Sequence, residues 1–150
     1  MKLLVPPPIV ALVCALAMWG IAAAVPALAL AFPLQVPLAA GVAAIGLALD
    51  LVAVFAFRRA KTTVTPLAPQ KASSLVVGGL YRYTRNPMYL GMALILTGLA
   101  IWLGSPVNLA VLAAFVAYIT QFQIRPEEAL LEERFGEAFR EYAARVRRWL

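Results

Sequence analysis

The chain has 150 residues, 63% of them hydrophobic and only 13% charged, with a net charge of +6, a pI near 10.0 and a mean hydropathy of +0.86. Soluble domains carry roughly 25% charged residues, so the composition points away from them and toward an integral membrane protein. With one cysteine, Cys14, and no histidine, the chain cannot form an internal disulfide, a cysteine- or histidine-ligated metal site or a histidine-based triad, and no metal is expected.

Between Lys2 and Arg58 the only charge is Asp50. The stretch accommodates two membrane spans of about 20 residues each, near 7–25 and 36–57, parted at Pro26, Pro33 and Pro37. Ala27, Leu28 and Ala29 have the spacing of a secretory cleavage site, but the first segment is read as a retained span. Both segments are rich in Ala and Gly, which permit close helix packing. Asp50 lies about two turns, roughly 12 Å, inside the end marked by Arg58. An ionisable group at that depth is costly and hence a functional candidate. The alternatives are an ion pair with a snorkelling arginine or a helix-packing hydrogen bond.

After Arg58, "TTVTPLAPQKASS" (62–74) is polar and proline-punctuated, a linker. "GGLYRYTRNPMYLG" from Gly78 to Gly91 differs in character. Pro87 suits a first helical turn, where its missing N–H would be unpaired in any case, and Asn86 before it suits a cap. The free N–H groups of such a helix start can hold an anion. Tyr81, Tyr83 and Tyr89 place aromatic faces beside Arg82 and Arg85, a composition that also describes an interfacial belt with snorkelling arginines.

From Asn86 to Ile124 there is again no charge, and "GSPVN" (104–108) divides the run into spans near 87–103 and 107–124. Four of the seven acidic residues then crowd into "RPEEALLEERFG", Arg125 to Gly136. At 100° per residue Leu131, Phe135, Ala138, Phe139, Tyr142, Val146 and Trp149 make one apolar stripe, so 127–150 reads as an amphipathic helix at the membrane face, bent or split at Gly136. Glu128 falls inside the stripe, Glu127 on its border, and Glu133 faces water. Glu137 with Arg140 and Glu141 with Arg145 have the spacing of ordinary surface ion pairs. An inward carboxylate needs a partner, and Arg82, Arg85, Arg125 or a bound cation could supply one for Glu127 and Glu128.

Lys2, the loop with Arg58, Arg59, Lys61, Lys71, Arg82 and Arg85, and the tail from Arg125 would share one side, while the 26–35 and 104–108 turns are uncharged. Both termini are therefore expected in the cytoplasm, in a bacterial inner membrane. Because the basic residues border spans, their partner is read as anionic lipid headgroups, not nucleic acid. Oligomeric state leaves no mark in the sequence.

Two motifs carry a resemblance. G-x-Y-x-x-x-R-N-P-x-Y-x-G from Gly79, followed after a helical hairpin by E-E-x-x-L-x-x-x-F-G-x-x-F-x-x-Y-x-x-x-V from Glu127, resembles the isoprenylcysteine carboxyl methyltransferase family and its phospholipid-methyltransferase relatives. The likeness covers the C-terminal half. It implies a membrane enzyme that uses S-adenosylmethionine in a cytoplasm-facing pocket closed by the tail, with a lipophilic small molecule or lipid (carboxylate, thiol or amine acceptor) arriving from the bilayer. It also implies that Glu127 and Glu128 hold the cofactor's cationic part, that Arg85, Asn86, Pro87 and Tyr89 line the pocket, and that Tyr81 is a neighbour. It suggests Arg125 for binding an acceptor carboxylate, and Arg85 as a residue required for turnover, either by bracing Glu127 or Glu128, the use favoured here, or by orienting the acceptor. The family's usual R-H-P is R-N-P here, which removes an imidazole, and Arg125 stands in a different register from the arginine of the eukaryotic enzymes. The expected fold is all-α: one domain over 1–150, about four transmembrane helices and a cytoplasmic amphipathic tail from 125. Rival readings are an NADPH-dependent membrane reductase of the steroid-reductase type and an inactive membrane scaffold or sensor.

Overall fold

The computed structural model describes residues 5–59 and 75–150. Lys2, Lys61, Lys71 and the linker expected over 62–74 lie outside the described residues, as do the side chains of Arg58 and Arg59. All regular structure among the described residues is helical: α1 (Pro7–Ala24), α2 (Gln35–Arg59), α3 (Pro87–Leu103), α4 (Asn108–Ile119), α5 (Arg125–Phe135) and α6 (Glu137–Arg145). Three helices are long and apolar enough to cross a membrane: α1, α2 and the rod from Asn108 to Phe135. α3 is apolar but has only 17 residues, roughly 26 Å at 1.5 Å per residue.

That short helix is the centre of the bundle, packed against α1, α2 and α4. Tyr89, Ala93, Leu96 and Ala100 of α3 meet Met18 of α1 and Phe115 and Ile119 of α4 in the main core. The outer helices turn Leu12, Leu16, Trp19, Leu47, Val52 and Phe55 outward, the surface expected of a protein solvated by lipid.

Small residues let α2 and α3 touch backbone to backbone. Ala39, Gly46 and Ala53, seven residues apart, are buried on α2. A Cβ at Gly46 would stand 2.6 Å from the Gly91 carbonyl oxygen, and one at Gly98 would stand 2.7 Å from that of Ala39. Without a hydrophobic drive between helices in lipid, such packing holds a membrane bundle together. Gly98→Ala is accordingly expected to cost about 1–3 kcal/mol, the range for overpacking, measured as a lower midpoint of unfolding in detergent.

Asp50 fills the space beside Gly91, where a Cβ would overlap its carboxyl. Its Oδ1 is buried without a hydrogen-bond partner, and Asp50 forms no ion pair among the described residues. The snorkelling ion pair foreseen for it would fall on Arg58 or Arg59, whose side chains lie outside the described residues.

The two ends of the bundle are chemically unlike. At the uncharged end Gln35 Nε2 donates to the carbonyls of Ile101 (2.7 Å) and Trp102 (3.2 Å), and Leu30 N–H to that of Gly104 (2.7 Å). The charged end gathers the starts of α1 and α3, the end of α4 and the tail. There Gln123 Nε2 donates to the Val5 carbonyl at 2.6 Å.

The tail differs at both ends from the amphipathic helix expected over 127–150. The helix from Asn108 does not stop at 124 but continues through a π turn, Thr120–Ile124, into α5. Pro126 lacks an N–H and crowds the carbonyl four residues back, and the wider turn just before it makes room without ending the helix. The break at Gly136 is present, at φ 54° and ψ −123°. α6 then ends at Arg145, and Val146 leaves it extended (φ −119°, ψ 129°). Residues 146–150 therefore do not prolong the stripe but turn back across the bundle.

Candidate functional site

The site is assembled where the 3-10 turn Gly79–Arg82, the start of α3, the first turn of α5 and the returning C-terminus meet. Tyr81, Phe139 and Tyr142 form a small second core, with Leu131, Phe135 and Val146 around it. The Tyr142 hydroxyl donates to the Tyr81 carbonyl at 2.8 Å, which ties α6 to the chain entering α3.

Asn86 occupies the cap position of α3 but makes no side-chain cap. Its Nδ2 instead donates to the Arg148 carbonyl at 2.8 Å, while its own N–H donates to Thr84 Oγ1 at 3.1 Å. The expected cap is not made, and the side chain instead turns its amide N–H group to the tail. Pro87 stands in the first turn and is buried.

Both glutamates of the first α5 turn face inward, and they have different surroundings. Glu128, whose side chain is 16% exposed, is gripped by Arg148 through Nη2 at 2.6 Å and Nε at 3.1 and 3.2 Å. Arg85 Nη2 approaches the same carboxylate at 3.1 Å. Two permanent cations therefore share one carboxylate. The fork geometry of guanidinium suits it, and the pairing raises the pKa of Arg148 further, chiefly by its hydrogen bond to Glu128.

Glu127 has no such partner. It accepts a 2.6 Å hydrogen bond from the Tyr89 hydroxyl and forms no ion pair among the described residues. It lies beyond Ile124, the last residue of the uncharged run. Burial pushes its carboxyl up to about 8; the Tyr89 hydrogen bond opposes the shift and the negative charge of Glu128 adds to it. Tyr81 is close enough for the charge of Glu127 to raise its hydroxyl pKa, after the larger effects of burial and Tyr142. A half-buried carboxylate edged by two tyrosines and without a cation among the described residues is chemically suited to receive one.

The geometry thus brings together Tyr81, Arg85, Asn86, Pro87, Tyr89, Glu127 and Glu128. Arg125 is left apart: it is exposed and its Nη1 donates to Gln121 Oε1 at 2.7 Å, one turn back on its own helix. Leading α5 directly out of the rod from α4 turns it away from the inward face. Arg82 and Tyr83 are also exposed. The expected pair Glu137–Arg140 is made at 2.9 Å, whereas Arg145 Nε donates to the main-chain carbonyl of Glu141, not to its carboxylate.

Arg148 was not foreseen from the sequence. Trp149, foreseen on the amphipathic stripe, instead packs against the main core and donates its indole N–H to Thr120 Oγ1 at 3.0 Å. The available signal was two arginines and a tryptophan directly after the last residue of the second motif, too short a segment for periodicity to place.

These features define a class: an all-helical protein with membrane-spanning helices and an acidic, tyrosine-lined site at the charged end of the bundle. Residues 34–138 match the phospholipid methyltransferase family, and the chain belongs to that family. Over 63 residues, 42% of this chain and the whole of the relative, it is 44% identical to an uncharacterized protein of Haemophilus influenzae (strain KW20 / Rd). No solved structure matches the chain.

Proposed function

We propose that this protein is an integral membrane methyltransferase that uses S-adenosylmethionine and acts on a lipophilic acceptor at the charged end of the bundle. The observation that carries the reading is Glu127, a half-buried carboxylate within 2.6 Å of the Tyr89 hydroxyl and without a basic partner among the described residues. S-adenosylmethionine, when bound, supplies a methyl group activated by a sulfonium. Glu127 would hold the cationic part of that molecule, with Tyr81 and Tyr89 as flanking faces. The first turn of α3, which lacks a side-chain cap, offers N–H groups to its carboxylate. Arg85 and Arg148 hold Glu128 and keep the charge beside Glu127 compensated.

Membership in the phospholipid methyltransferase family supports a lipid as acceptor, and the exposed apolar surface of the outer helices supports its arrival through the bilayer. The one-sided distribution of Lys and Arg supports a cytoplasm-facing site. Methyl transfer gains chiefly from in-line placement of nucleophile and carbon, so a chain without histidine is chemically adequate for an acceptor that is already nucleophilic.

The test is transfer of label. Membranes containing the protein, given S-adenosylmethionine tritiated in the methyl group, are expected to yield labelled organic-extractable product. Label from tritiated NADPH would establish the reductase reading in its place, and cofactor binding without labelled product would favour the scaffold.

A further inference from the structure

The last five residues, 146–150, form a strap that is tied on three sides. Arg85 N–H donates to the Arg147 carbonyl at 3.0 Å, and Asn86 Nδ2 and Thr84 Oγ1 donate to that of Arg148 at 2.8 and 3.4 Å. Trp149 anchors the strap to Thr120 at 3.0 Å. Between these ties the Arg148 side chain reaches back to Glu128, 20 residues earlier, in a bidentate grip of 2.6 to 3.2 Å. The segment leading into α3, the first turn of α5 and the turn that follows α4 thus converge on the strap.

We infer that Arg148 is a positioning residue for the candidate site: through Glu128 it sets the orientation and charge of the acidic pair that Glu127 uses to hold a cation. The inference rests on the donor-binding reading for its purpose but not for its test. Glu128 is adjacent to Glu127 in sequence and is compensated from two sides, by Arg85 at 3.1 Å and by Arg148. Loss of Arg148 leaves Arg85 as its compensation among the described residues, so more of the negative charge of Glu128 is felt at Glu127. The other groups facing Glu127 are the hydroxyls of Tyr89 and Tyr81, which the change leaves in place. A like charge beside a carboxyl disfavours its ionised form.

The experiment is an infrared titration of the ligand-free, full-length protein in detergent. The protonated-carboxyl band of Glu127 is identified as the band lost in Glu127→Gln. In the wild type its midpoint is expected near 8. Arg148→Ala should move the midpoint upward by about one pH unit, equal to a tenfold change in the ionisation constant, while Arg148→Lys, which keeps the charge, should hold it near the wild-type value. Should Arg148→Ala not purify as a folded species, Arg148→Gln reads the same shift. An unmoved midpoint in the charge-removing variant overturns the inference, whatever the protein binds. Titration of S-adenosylhomocysteine into the same samples separates the two readings. No binding by the wild type counts against the proposed function alone. Tighter binding by Arg148→Ala would make Arg148 an occupant of the cation's place, and the inference would fail.

Discussion

Glu128→Gln is expected to destabilise the fold by about 3 kcal/mol, the lower end of what is lost when one member of a buried ion pair is removed. Glu128 and Arg85 are largely enclosed, with side chains 16% and 13% exposed. Arg148, at 36%, is open enough for water to take up part of its charge, which keeps the estimate at that lower end. The variant leaves Arg85 with no acidic partner among the described residues, and its Nε already lacks a hydrogen bond. The strap should loosen with it, because among the described residues Glu128 is what anchors the Arg148 side chain. Thermal unfolding in detergent measures the loss, and faster hydrogen exchange at the amide of Arg85, bonded to the Arg147 carbonyl, reports the strap. A stability equal to that of the wild type would show that solvent and the other ties carry the tail.

Glu127→Gln should behave in the opposite way, with fold stability kept or raised and cofactor affinity lost by tenfold or more. The carboxyl of Glu127 is raised from 4.5 to about 8, chiefly by burial. The folded state therefore binds the proton more tightly than the unfolded one, so this group's contribution favours folding below 4.5 and is lost as pH rises toward 8. Glutamine cannot ionise and escapes that loss. It still accepts the Tyr89 hydroxyl but offers no charge to a cation, and a hydrogen bond to a charged group contributes about 1.5–3 kcal/mol, roughly a tenfold to hundredfold change in affinity. Paired unfolding and binding curves on the one variant check both halves. Weak binding with a lowered unfolding midpoint would return Glu127 to a structural role.

The sequence carried the fold class because membrane spans are written in long uncharged runs and breaks in Pro and Gly, features that depend on neighbours along the chain. It also carried the inward turn of Glu127 and Glu128, through helical period. It did not show which of the two was already paired. That depends on Arg148, brought back from 20 positions away by an extended segment whose course is set by the carbonyls of Arg147 and Arg148 meeting donors at 84–86. The separation of Arg125 from the site has a similar origin: periodicity gave a helix for the tail but not its direct continuation from α4, which turns Arg125 outward toward Gln121.

Calorimetric titration of S-adenosylmethionine into the detergent-solubilised protein, in wild-type and Glu127→Gln forms, tests the central claim most directly. A cation held by Glu127 must displace its proton at low pH, so wild-type affinity should rise by at least tenfold from about pH 6 to about pH 8, and the variant should bind weakly with no such rise. Equal affinities for the two proteins, or a wild-type affinity indifferent to pH, would contradict it.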